Sequence, residues 1–203
     1  MKINRVLSEK TADTDPFVQF SIWYNEHLEA GTAIPDSVSL GTASAAGRVS
    51  VRTVLLKGYD ENGFVFFTNY YSKKGIQLSE NPFAALLFYW AESGRQVRIE
   101  GKTEKITENE SASYFGTRPR DSQISAWTSE QSSIIPDRLY LEKRQEFYKS
   151  MFENKPVQKP PHWGGFRLIP DVIEFWSDGE FRLHDRIVYT RKDNVWTISR
   201  LAP

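Results

Sequence analysis

SVSLGTAS (37–44), RVSVRTVLLK (48–57), GFVFFTN (63–69), FAALLFYW (83–90) and RQVRIEGKTEKIT (95–107) follow one another through the middle of the chain. Each run is rich in β-branched or aromatic residues, and Ala46-Gly47, Asp60-Glu61-Asn62 and Ser93-Gly94 punctuate them. That texture reads as strands separated by turns. Five strands in succession with short connections predict an antiparallel meander, which at this length tends to close as a barrel. FAALLFYW is apolar at every position, so it is expected to be covered on both faces.

Outward from this block, Asp15 followed by Pro16 reads as a helix N-cap with proline at the first helical position, and Phe17, Phe20, Tyr24 and Leu28 then recur at helical spacing. On the other side, Thr107 and Glu110 have capping-box spacing. The region to about Met151 reads as helices interrupted at Arg118-Pro119-Arg120 and Ile135-Pro136. Strands return in WGGFRLI (163–169), VIEFWS (172–177), FRLHDRIVYT (181–190) and NVWTISR (194–200). The expected class is α+β, a mostly antiparallel barrel-like sheet with surrounding helices. No repeat or Pro/Gly/Ser linker divides the 203 residues, so residues 15–203 are expected to form one domain after a flexible polar arm, 1–14.

The 26 basic residues balance 26 acidic ones, which removes the long-range field of a general nucleic-acid binder. Without cysteine there are no disulfides, zinc-thiolate sites, iron-sulfur clusters or thiol catalysis. No apolar run approaches a membrane span, and the start lacks the hydrophobic block of a secretory signal, so a cytoplasmic location is expected. His27, His162 and His184 lie far apart, so no metal is expected, and no Gly-x-Gly-x-x-Gly or Walker loop is present. Gly164-Gly165 reads as a close-packing bend.

Four basic clusters stand out. Read as a strand, Phe181 to Thr190 puts Arg182, His184 and Arg186 on one face, which calls for an anionic or electron-rich neighbour; on residues alone, a solvated face balanced by Asp185 is the preferred reading. Tyr114 with Arg118-Pro119-Arg120-Asp121-Ser122 offers a phosphate clamp or, more simply, a wet helix connector. Ser72 can cap a helix whose first turn holds Lys73 and Lys74, against the helix dipole unless an anion binds there; a solvated lysine pair is the alternative. Arg52 and Lys57 bracket an apolar strand and alternate to opposite faces, so one ligand meets both only through a bulge or at the strand end.

In this order the segments RTVLLK (52–57), LLFYW (86–90), RQVRIEG (95–101), PPHWGG (160–165), RLHDR (182–186) and the terminal RLAP resemble the pyridoxine/pyridoxamine 5'-phosphate oxidase family, from about Asp15 to Pro203. The resemblance implies a split-barrel flavoprotein working as a homodimer, with FMN at the subunit interface. By the same resemblance the FMN contacts are Arg52, Thr53, Val54, Leu55, Leu56, Lys57, Phe67, Thr68, Lys73, Lys74, Gln96, Gln131, Ser132, Trp176 and Arg186. Substrate contacts are Lys57, Tyr114, Arg118, Ser122, Arg182, Leu183 and His184, with Arg182, His184 and Lys57 closest to catalysis.

The implied reaction is oxidation of pyridoxamine or pyridoxine 5'-phosphate by oxygen to pyridoxal 5'-phosphate, with release of hydrogen peroxide. Two phosphate esters would supply the anions that the basic clusters lack. Many family members carry a longer basic and aromatic N-terminal arm that folds over the substrate; here a short polar stretch with Arg5 precedes Asp15, so weaker substrate affinity with unaffected FMN binding is expected. The alternatives are a related split-barrel oxidase of another aromatic substrate, as in the phenazine pathway, and a non-catalytic protein that stores or senses flavin or pyridoxal phosphate.

Overall fold

The computed structural model describes residues 7–203. Helix α1 (Pro16–Glu29) begins where expected, with the Asp15 carboxylate accepting the Phe17 N–H at 2.7 Å. It buries Phe17, Phe20 and Trp23, whereas Leu28 is exposed. Phe20 is fully enclosed and meets the rings of Phe64 and Phe88 edge-on.

Strands β1 (Ser37–Ala43), β2 (Val49–Leu55), β3 (Gly58–Asp60), β4 (Gly63–Asn69), β5 (Phe83–Trp90), β6 (Arg95–Lys105), β7 (Trp163–Ser177), β8 (Asp185–Lys192) and β9 (Val195–Arg200) make one antiparallel sheet. Helix α2 (Lys73–Glu80) joins β4 to β5, while α3 (Glu108–Thr117), α4 (Arg120–Thr128) and α5 (Arg138–Met151) lie between β6 and β7. The capping box at Thr107 and Glu110 is present, and the helices break at both predicted prolines. The sheet curls into a split barrel, and past the end of β2 the Lys57 N–H donates to the Val65 carbonyl on β4 at 2.8 Å.

The meander is not what forms. The sheet order is β2-β1-β5-β6-β7-β4-β3, with β8 and β9 continuing from β7. Turn chemistry correctly marks the hairpins β1-β2, β3-β4, β5-β6 and β8-β9, but turns say nothing about which hairpin lies beside which. Long-range burial decides that: β1 takes β5 on its second edge, and β4 takes β7. WGGFRLI and VIEFWS merge into the single strand β7, which shifts register against β6 between Glu100 and Gly101. Gly164 and Gly165 lie within β7 and serve close packing as expected; a Cβ on Gly165 would lie 2.5 Å from Ile106 Cδ1.

Two further expectations are corrected. Phe181 to Thr190 is not one strand: Glu180–Arg182 forms a 3-10 turn, and β8 starts only at Asp185. Phe181 and Arg182 hold φ of 55° and 64°, a left-handed conformation that ends the alternation assumed for Arg182, His184 and Arg186. FAALLFYW is covered on one face within the chain: Ala84, Leu86, Phe88 and Trp90 are buried, but Phe83 and Tyr89 are 60% and 64% exposed.

The described part of the expected arm, residues 7–14, is docked. Leu7 is buried, Arg200 bonds Glu9 and the Leu7 carbonyl, and the Tyr189 hydroxyl donates to the Asp13 carbonyl at 2.6 Å. Residues 1–6 of that arm lie outside the described residues.

Candidate active site

A cavity of about 620 Å³ opens between the edge of β2, the end of β4, the start of α2 and the α3–α4 connection. Of the residues predicted from sequence, Thr53, Val54, Leu55, Lys57, Phe67, Thr68, Lys74, Tyr114, Arg118, Ser122 and Gln131 line it. Because β2 ends the sheet, alternate backbone N–H and C=O groups along Thr53–Leu55 point away from β1 and are free to bond a ligand.

One end is a cationic corner. Ser72 caps α2 by accepting the Gly75 N–H, as its position predicts, and turns Lys74 inward while Lys73 stays exposed outside the cavity. Lys74 is buried, and among the described residues its Nζ donates to Thr68 Oγ1 (3.2 Å) and Gln131 Oε1 (3.1 Å). Arg52 shares the inner face of β2 with Val54 and donates to the Leu40 carbonyl, Thr42 Oγ1 and Ser50 Oγ. Neither cation bonds a carboxylate among the described residues. Burial, then the Arg52 charge, pushes the Lys74 ammonium below its ordinary pKa, and burial lowers Arg52 likewise. Two adjacent, desolvated, neutrally solvated cations are short of an anion.

The other end is aromatic. Phe67 stacks on Tyr114 (centroids 4.0 Å apart) and on Trp163 (5.2 Å), and the Arg118 guanidinium lies 4.7 Å above the Trp163 ring. Arg118 Nη1 is buried without a hydrogen-bond partner among the described residues, and burial lowers the pKa of the group. Helix α4 starts at Pro119–Arg120 with no side-chain cap, leaving its first N–H groups, near Ser122, open to a ligand. Lys57 reaches this end from beyond the last residue of β2, which resolves the alternation problem, and is ion-paired with Asp36.

Leu56 is a core residue, and Ser132 sits beside Gln131 in a left-handed conformation without lining the cavity. Trp163, Asn69, Ser125 and Ser129 line it unforeseen. Of these, Trp163 had a signal in PPHWGG, where two glycines beside a tryptophan mark tight packing.

The remaining predicted residues form a second cluster elsewhere. Gln96 opposes Trp176, which opposes Arg186, making a row across β6, β7 and β8. His184 lies 4.6 Å from the Trp176 ring, its Nδ1 accepts the Gly179 N–H, and Arg182 and Leu183 are exposed. Here Arg186 is paired. Buried Glu174 accepts from Arg186 Nε at 2.7 Å and from Arg98 Nη2 at 2.6 Å, and the Ala202 carbonyl takes Arg186 Nη1. No member of this cluster lines the first cavity.

The row belongs to the outer face of the sheet, which continues through Tyr89 and Phe83 on β5 to Val51 and Val49 on β2, the last two 70% and 81% exposed. This face mixes exposed apolar side chains with Gln96, Arg98, Glu100 and Arg186. Among the described residues no helix is long and apolar enough to cross a membrane.

Comparison with known proteins agrees. The family model described as pyridoxamine 5'-phosphate oxidase matches residues 25–149, and the pyridoxine 5'-phosphate oxidase C-terminal dimerisation region matches residues 163–203. The chain is 52% identical over 200 residues to the pyridoxine/pyridoxamine 5'-phosphate oxidase of Burkholderia multivorans (97% of this chain, 93% of the relative). It is 50% identical over 198 residues to that of Nostoc punctiforme (97% and 92%). Among solved structures, PhzG from Burkholderia lata in complex with tetrahydrophenazine-1-carboxylic acid superposes with a TM-score of 0.92 over 100% of both chains at 28% identity. A pyridoxamine 5'-phosphate oxidase-related, FMN-binding protein from Nostoc punctiforme shares the fold, with a TM-score of 0.73 at 18% identity over 93% of this chain and 98% of that one. With one family model spanning β1–β6 and the helices between β6 and β7, a second spanning β7–β9, and relatives matched along nearly their whole length, the chain belongs to the pyridoxine/pyridoxamine 5'-phosphate oxidase family.

Proposed function

We propose that this protein oxidises pyridoxamine or pyridoxine 5'-phosphate with oxygen, using bound FMN, and releases pyridoxal 5'-phosphate and hydrogen peroxide. The observation that carries this reading is that, among the described residues, Lys74 and Arg118 in the cavity, and Arg52 behind Lys74, have no carboxylate partner. Two phosphate esters, one on a coenzyme and one on a substrate, answer that deficit.

In this reading Arg52, Lys74 and the start of α2 hold the FMN phosphate, and the free edge at Thr53–Leu55 bonds the flavin ring. Lys57, Tyr114, Arg118 and Ser122 grip the vitamer phosphate. The Gln96, Trp176 and Arg186 row lies on the outer face, so a second copy docked through that face would bring its row, with Arg182 and His184, toward this cavity. Bound FMN would accept two electrons from the C4' carbon and return them to oxygen; with the amine substrate, water is consumed and ammonia released. The work of the chain is alignment and charge placement.

The purified protein should show flavin absorption bands and release peroxide with pyridoxamine 5'-phosphate. A fully FMN-loaded sample that turns over neither vitamer would instead indicate a flavin carrier. Arg182→Ala should lower turnover on the order of 100-fold with flavin still bound; a colourless Arg182→Ala protein would remove Arg182 from the substrate side. A phenazine-type substrate is the second reading, favoured by the PhzG likeness. Arg118 would suit the carboxylate of such a substrate as well as a phosphate, so turnover decides: turnover of a phenazine precursor without turnover of pyridoxine 5'-phosphate would reverse the choice.

A further inference from the structure

We infer that Trp163 is a positioning residue that sets the preference for phosphorylated substrates by holding Arg118 in its binding pose; the inference rests on the substrate reading above. The Arg118 guanidinium is held by ring faces rather than by acids, 4.7 Å over Trp163 and 5.6 Å over Phe115, with Nη1 buried and unpartnered. A guanidinium fixed through its flat face keeps its edge donors available, whereas one fixed by a carboxylate has spent them. Trp163 is itself immobilised. It is buried, lies parallel to Phe67 and Tyr114, and is followed by Gly164 and Gly165, where a Cβ would collide with Tyr70 Oη at 2.0 Å and Ile106 Cδ1 at 2.5 Å. The glycines let β7 approach close enough to seat the indole under Arg118. Selectivity for the phosphate would therefore come from a rigid platform under its principal cation as well as from the cation.

The test is a double-mutant cycle on the FMN-loaded protein with Trp163→Leu, Arg118→Ala and the pair, reading kcat and KM for pyridoxamine 5'-phosphate and for unphosphorylated pyridoxamine. Trp163→Leu should raise KM for the phosphorylated substrate about tenfold, with a smaller fall in kcat and little change for pyridoxamine. The pair should be no worse than Arg118→Ala alone. Trp163→Phe, which keeps a ring face, should recover most of the loss, and Trp163→Met, which also removes the ring face, replaces Trp163→Leu in the cycle if the leucine variant fails to fold or to retain FMN. Additive losses, or equal losses on both substrates, would overturn the inference and leave Trp163 a packing residue. If Arg118→Ala itself spares the phosphorylated substrate, the substrate reading fails first.

Discussion

The two clusters treat their cations in opposite ways. Lys74 in the cavity and Arg52 behind it are desolvated against hydroxyls, carbonyls and an amide, with no carboxylate bonded to either among the described residues. On the outer face, Arg186 and Arg98 are both bound to Glu174. A folded chain tolerates an uncompensated buried charge only at a cost, so the deficit locates an absent anion, while the paired arginines are already neutralised and act by shape and directed donors. Sequence shows arginines and lysines in both places; only their partners separate the proposed phosphate site from a braced surface.

The largest test of this contrast concerns whether the clusters meet across a dimer. Val51→Asp places a carboxylate twice on an isologous interface and should weaken dimerisation on the order of 1000-fold, with loss of FMN. Sedimentation showing an intact yellow dimer would move the interface elsewhere. Next, Lys74→Met should weaken FMN binding on the order of 10–100-fold. The same change should raise the melting temperature of the FMN-free protein by about 2–4 °C, because an uncompensated buried charge is removed. Glu174→Gln should act with the opposite sign, destabilising the FMN-free protein by about 1–3 kcal/mol as two guanidiniums lose their shared anion. If denaturant titrations give both variants the same sign, the contrast between the clusters is wrong.

The smallest effect is on pH. The folded Lys74 pKa lies below its unfolded value, so in the alkaline interval between them the unfolded chain holds more protons. The stability contributed by this group therefore rises as pH rises through that interval in the FMN-free protein. FMN binding, which needs the charged ammonium, should weaken over the same interval. Lys74→Met should flatten both trends when melting temperature and FMN affinity are followed against pH.

Some parts of the molecule could be read without coordinates because their causes are local. Asp15, Ser72 and Thr107 cap the helices they were expected to cap, since a cap depends on residues two or three positions away. The hairpins follow their turns for the same reason. The Phe181–Thr190 strand is interrupted by a tight local turn, with Phe181 and Arg182 left-handed and Gly179 so close to Leu183 that a Cβ there would stand 2.2 Å from the Leu183 carbonyl oxygen; strand alternation alone does not reveal such a turn. Trp163 was overlooked as a site residue because its partners Phe67, Tyr114 and Arg118 come from β4, α3 and the connection after it.

By itself the sequence determined the element types, the helix starts, the neutral charge balance and, through segments spread along the chain, the family. Tertiary structure alone decided the order of hairpins in the sheet, the face of FAALLFYW left open, and which cations stand without acids. Propensity and capping act over a few residues, whereas burial and charge pairing depend on groups brought together from distant parts of the chain, such as Lys74 and Gln131 or Arg186 and Glu174.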